Sequence, residues 1–200
     1  MKWRAVLVAS PLILAALAAA VLIGRAGVAP AQQALADTTA YEAPVDVDTA
    51  GLPGPVQPVF YRHDVHAGQY EMDCRYCHFA AEVSSSPGLP TVSTCMGCHL
   101  LAGLANPEVQ KLRQAWNEQR PIEWVEVHKL AQFVRFPHHR HVNSEKGVFE
   151  NKTTTQICEE CHGPVTRMPQ VYQYASLKMG WCVTCHRQSE ASTDCTACHY

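Results

Sequence analysis

The longest uninterrupted apolar stretch of the chain lies at its start. Ala5 to Ile23 carries no charge and is broken only by Ser10 and Pro11, behind the basic Met1-Lys2-Trp3-Arg4. A membrane span needs about 20 apolar residues, whereas the core of a secretory signal needs about 7–15. This run is nearer the span length. The small-x-small sequence Ala34-Leu35-Ala36, a candidate cleavage site, lies well past its end, behind Arg25. The pattern favours a membrane anchor over residues 1–24, with a cleaved signal peptide as the alternative. Lys2 and Arg4 place the N-terminus in the cytoplasm, and both readings export the remainder of the chain.

Over residues 25–58 the apolar periodicity vanishes. The segment is rich in Ala, Pro, Gly and Gln, including Pro30, Pro44, Pro53, Pro55 and Pro58, which predicts an extended linker. Residues 59–200 show only short patterned pieces. Asn106-Pro107 is a helix start, with Asn as cap and Pro at the first position. Val109, Leu112 and Trp116 then recur on one face, and Pro121 is the expected stop. Ile122, Trp124, Val125 and Val127 suggest an extended piece. Ser84-Ser85-Ser86-Pro87-Gly88 is a turn-rich loop, and the polar stretch 143–156 is expected on the surface.

The cysteines change the picture. All ten fall into Cys-x-x-Cys-His motifs, at Cys74/Cys77/His78, Cys95/Cys98/His99, Cys158/Cys161/His162, Cys182/Cys185/His186 and Cys195/Cys198/His199. This is the spacing for c-type haem attachment, in which two thiols form thioethers and the next histidine becomes the proximal iron ligand. Zinc would use two cysteine pairs per site, leaves one of five pairs unmatched, and gives no reason for the histidines. A thioredoxin-like site needs one pair, and a disulfide scaffold would not repeat one spacing. Five haem c groups are therefore expected.

Five haems shared among residues 59–200 leave fewer than 30 residues for each, too few for separate hydrophobic cores. The expected fold class is mainly α and irregular. Short helices and long loops wrap a haem core, little or no sheet forms, and one N-terminal transmembrane helix precedes the domain. The formal net charge is -2 and haem propionates add to it; no basic patch suggests nucleic acid.

Five irons also call for five distal ligands. Outside the motifs stand His63, His66, His128, His138, His139 and His141. His63-x-x-His66 comes after Phe60, and His138-x-x-His141 after Phe136, which suggests two related halves joined by the cysteine-free bridge 100–156. His63, His66, His138 and His141 are the distal candidates. His139, between two of them, should point elsewhere. His128 sits in a mostly apolar stretch and is either a fifth ligand or a satisfied core histidine. Met179 and Met168 are the sulfur alternatives, with Met72 and Met96 weaker. A Met ligand would raise its haem's potential, but methionine at such positions is more often packing.

Several segments beyond the haem motifs resemble the pentahaem cytochrome c subunit of alternative complex III, a bacterial quinol-oxidising respiratory complex. They are Phe60…His63-Asp64-Val65-His66-Ala67-Gly68, Cys95-Met96-Gly97-Cys98-His99, Trp124-Val125-Glu126-Val127-His128-Lys129-Leu130, Gly163-Pro164-Val165…Met168 and Met179-Gly180-Trp181-Cys182. The resemblance covers about residues 56–200 and the basic-apolar N-terminus. It implies an anchor in the bacterial cytoplasmic membrane and a periplasmic five-haem domain. That domain would dock on an iron–sulfur subunit related to molybdopterin oxidoreductases and on polytopic quinol-binding subunits. A monohaem cytochrome c or a terminal oxidase would be the acceptor. No nucleophile, general base or phosphate loop is visible, so a carrier subunit is expected and not an enzyme acting alone. One rival is a single-span multihaem quinol dehydrogenase feeding a periplasmic reductase, which the long linker argues against. Another is a multihaem reductase with one open iron, which the spare histidines argue against.

Overall fold

The computed structural model describes residues 41–200. Within them, seven short α-helices punctuate a loop-rich chain: α1 (Cys74–Cys77), α2 (Val92–His99), α3 (Pro107–Asn117), α4 (His138–Val142), α5 (Thr154–His162), α6 (Met179–Gln188) and α7 (Cys195–Cys198). A π-helical turn spans Asp64–Gln69, and 3-10 turns span Phe79–Glu82, Gly147–Phe149 and Val165–Arg167. Among the described residues, one isolated antiparallel bridge, Val134 to His199, stands in for sheet. The expected helical and irregular architecture is thus the one residues 41–200 adopt. The expected anchor, 1–24, lies outside the described residues. Among those described, no helix is long and apolar enough to cross a membrane.

Local chemistry sets the helix starts. Asp73 caps α1 by accepting from the Arg75 N–H at 2.8 Å, and Asn106 caps α3 by accepting from the Glu108 N–H at 2.8 Å. Thr153 and Gln156 form a reciprocal capping box at α5, which satisfies two otherwise unpaired N–H groups. Helix α3 buries Val109, Leu112 and Ala115, while Trp116 is 43% exposed. The expected face of Val109, Leu112 and Trp116 is therefore corrected. Three-residue steps rotate the buried stripe by roughly 60° each, and it tracks toward Ala115, which is 0% exposed where α2 packs closely on α3. Pro121 is not the stop either. The helix ends at Asn117, and Gln119 turns the chain at φ 53°.

The polypeptide core is small. Val59, Met96 and Leu112 form its buried centre, with Val92, Cys95, Ile122 and Trp124 against it. Met96, a weak ligand candidate, is thus a core residue at 2% exposure. The segment from Ile122 is extended but unpaired as a strand. It is held instead by Gln57, whose amide donates to the Val125 carbonyl and accepts from its N–H, at 2.9 and 2.8 Å. The described part of the linker lies along the domain in the same way. Gln170 donates to the carbonyls of Pro53 and Gly54, and Ala43 is buried. The stretch 143–156 is not wholly surface, because its 3-10 turn buries Phe149 and packs on α6.

The π-helical turn is wedged against Val165–Arg167 so closely that a Cβ at Gly68 would collide with the Thr166 carbonyl. Asp64, 0% exposed, opens this turn. Its charge is matched by Arg62, whose Nε donates to Oδ1 at 2.8 Å, and Tyr41 donates to Oδ2 at 3.4 Å. A buried carboxylate is tolerated only with such partners. Here they fix the backbone between His63 and His66.

Candidate functional site

The two His-x-x-His segments fold alike. In the first, the Tyr61 ring stacks on His66, with centroids 4.5 Å apart and planes at 23°, and meets His63 edge-on at 4.6 Å and 84°. In the second, Phe136 stacks on His141 at 4.3 Å and 25° and meets His138 edge-on at 4.9 Å and 88°. The second histidine of each pair donates from Nδ1 to a carbonyl four residues back. His66 reaches Arg62 at 2.8 Å and His141 reaches Pro137 at 3.0 Å. The ring two residues before the first histidine is the shared positioning element. In the first half that ring is Tyr61, and the expected partner Phe60 does not take this place.

The motif histidines sit in the last turn of their helices or just past it, each with Nδ1 on an acceptor. His78 is bound to the Gly88 carbonyl at 3.0 Å, His99 to Ala102 at 3.0 Å, His186 to Ser192 at 2.5 Å and His199 to Phe133 at 3.3 Å. His138 is held likewise, by the Ser85 carbonyl at 2.7 Å. A carbonyl only accepts, so each of these rings carries its proton on Nδ1 and presents a bare Nε2. That is the tautomer an imidazole needs to ligate metal. His162 differs, since its Nδ1 faces His128 Nε2 at 3.2 Å.

Ring pairs then meet within each half. His66 and His99 have centroids 6.0 Å apart, and His141 and His186 have them 6.1 Å apart. Two imidazoles on opposite sides of one iron, with bonds of about 2 Å and nitrogens roughly 1 Å from their ring centres, have centroids ~6 Å apart. These two pairs fit a bis-imidazole haem. His63 has His78 and His66 nearby, and His162 has His128, His138, His78 and His63 nearby, and these neighbours lower the proton affinity of His63 and of His162. Burial is the larger cause. It depresses His63 to about 4 and His162 to about 3, and it lowers His66, His128 and His141 as well. Neutral imidazoles are the ligating form. The Nδ1 atoms of His63 and His139 are buried without a partner.

The cysteines trace one path through the domain. Cys77 is raised by burial with Cys95 and Cys98 beside it. Cys74 lies against Cys158, and the interaction of the two thiols lowers Cys74 to about 7 and pushes Cys158 up. Cys161 is raised to about 11 by burial with Cys185 and Cys182 nearby, and Cys182 by burial with Cys198 nearby. The motifs therefore run in the spatial order second, first, third, fourth, fifth. None of the ten cysteines forms a disulfide. Among the described residues no group of three or more His, Cys, Asp or Glu converges on one point. Large apolar side chains flanking the motifs are exposed, including Tyr76, Phe79, Leu100 and Met179. Such surface suits a large apolar cofactor.

The methionine candidates part company. Met168 is 4% exposed, with its carbonyl accepting from the Asp64 N–H at 3.3 Å, in the seam beneath the π-helical turn. Met179, 66% exposed, opens α6, one turn before Cys182. Met72 is half-buried, beside the π-helical turn, where its N–H donates to the His66 carbonyl. The Ser84–Gly88 loop, expected only as a turn, is also a positioning element. Its carbonyls hold His78 and His138, and the Ser84 carbonyl accepts the His139 N–H.

No family model matches the chain. It is similar to the multihaem cytochrome c subunit of menaquinone reductase from Nitratidesulfovibrio vulgaris (strain Hildenborough). The two are 24% identical over 160 residues, covering 72% of this chain and 76% of that protein.

Proposed function

We propose that this chain is an electron-transfer subunit carrying five c-type haems. The observation that carries the reading is the pairing of imidazoles from the two His-x-x-His turns with motif histidines, at separations that span one iron. Haem iron supplies reversible one-electron chemistry. The chain's residues hold and tune it. The ten motif cysteines attach the groups, and His78, His99, His162, His186 and His199 are the proximal ligands. His63, His66, His138 and His141 are distal to the first, second, third and fourth motifs. The single-file order of the motifs supports a carrier role over a catalytic centre. The relative's name supports a quinone-linked complex. The resemblance at residues 56–200 refines this to alternative complex III, with an iron–sulfur subunit and polytopic quinol-binding subunits as partners, a retained anchor and a periplasmic domain.

The intact mass of the full chain, made in a host that attaches haem c, tests the reading. The expected value is apoprotein with residues 1–36 retained plus five haems, and the chain should co-purify with polytopic membrane subunits. A mass without haem overturns the reading. Reduction of the isolated chain by a quinol would replace the carrier role with that of a quinol dehydrogenase.

For the fifth motif the distal residue we assign is Met179. It lies on the face of α6 shared with Cys182, and Cys198 lies near Cys182. Met179→Ala is expected to abolish the sulfur-to-iron charge-transfer band of the oxidised protein and to leave the haem count unchanged. No such band in the unmodified protein would transfer the role to His139, whose buried Nδ1 is unpartnered.

A further inference from the structure

Four of the five motif histidines rest Nδ1 on a backbone carbonyl. His162 alone rests it on a second imidazole, His128 Nε2, at 3.2 Å. The rings meet edge to face, with centroids 4.4 Å apart and planes at 79°. That separation is too short for two imidazoles on opposite sides of one iron, which need ~6 Å. The contact also involves the nitrogen of His162 that faces away from a metal bound at Nε2. We propose that His128 is a positioning residue which accepts the Nδ1–H of His162 and makes the third centre electronically unlike the other four. The proposal rests on the five-haem reading.

The acceptor determines the chemistry. An imidazole nitrogen is a stronger base than an amide carbonyl, so it draws the Nδ1 proton of His162 further away. The ligating nitrogen then gains electron density and favours ferric over ferrous iron. The hydrogen bond also fixes His128 with its own proton on Nδ1. Its backbone is anchored next door, where the Lys129 N–H donates to Gln173 Oε1 at 3.2 Å. His128 lies 34 residues before His162 and on no helix, and this contact joins its ring to the third motif.

The test is potentiometric titration of the full holoprotein with His128→Phe and His128→Gln, alongside haem count and low-temperature electron paramagnetic resonance. His128→Phe is expected to keep five low-spin haems. It should shift the oxidation equilibrium of one of them roughly tenfold toward the reduced form, about 59 mV for a one-electron couple. His128→Gln, which restores a carbonyl acceptor, should leave a smaller shift. A new high-spin signal in His128→Phe would overturn the proposal, because His128 would then be a distal ligand. Five unchanged potentials would overturn it as well. A haem count below five in the unmodified protein would instead strike the haem reading itself. If the variants do not fold, nitrogen-15 NMR of histidine-labelled unmodified protein decides. One iron-bound imidazole should show coupling from its N–H to a second imidazole nitrogen, and five carbonyl-bound imidazoles would overturn the proposal.

Discussion

Replacing His66 with leucine is expected to leave all five haems attached and to convert one low-spin centre to high spin. The residues proposed to attach and ligate the second haem, Cys95, Cys98 and His99, lie together on α2, a helix that does not include His66. His66 contributes an imidazole 6.0 Å from the His99 ring, aimed by its Nδ1 bond to Arg62. Leucine has similar bulk and no donor nitrogen, so the sixth position opens without loss of the packing around Tyr61. His141→Leu should do the same to the fourth motif, through the 6.1 Å pair with His186. The double variant should show two high-spin centres, because the two sites share no side chain. Electron paramagnetic resonance and visible spectra read the outcome directly. A fully low-spin His66→Leu protein would mean that another residue ligates opposite His99.

The residues that bear this prediction are partly legible in the sequence. The motif spacing is dictated by covalent chemistry, and the His-x-x-His repeat is a spacing too, so both can be read from the chain. The helix at Asn106-Pro107 is legible because a cap is a local interaction. Scanning the first half for an aromatic residue selects Phe60, yet Tyr61 takes the place. Counting from the histidines finds it, since Tyr61 and Phe136 both stand two residues before the first histidine. The carbonyls of Ser85 and Gly88 leave no side-chain trace, and their role depends on where a turn brings the backbone. The sequence leaves His128 open between ligand and core residue. Its contact spans 34 residues with no periodicity to reveal it. The end of α3 and the burial of Phe149 escape the sequence for a related reason, because tertiary packing outweighs local signals there.

The internal mirror yields the second large effect. Phe136→Ala is expected to lower the thermal midpoint by roughly 5–15 °C and to free two distal histidines at once. The ring is in contact with both His138 and His141. Truncating a packed aromatic costs about 2–4 kcal/mol when, as here, the residue is only partly enclosed. For a domain of this size each kcal/mol corresponds to about 2–4 °C. The spectroscopic consequence is more specific. Both histidines keep their Nδ1 bonds, to Ser85 and Pro137, but lose the surface that fixes ring rotation about those bonds. High-spin character should therefore appear at the third and fourth motifs together. Tyr61→Ala should produce the matching loss at the first and second. Tyr61→Phe should be silent to within about 0.5 kcal/mol, because Phe136 performs the same task with no hydroxyl. Circular dichroism melts and low-spin signal intensity, recorded on the same preparations, separate lost stability from lost ligation. If Phe136→Ala melts early but keeps every centre low-spin, the ring is a packing residue only, and the ligands are positioned by their backbone bonds alone.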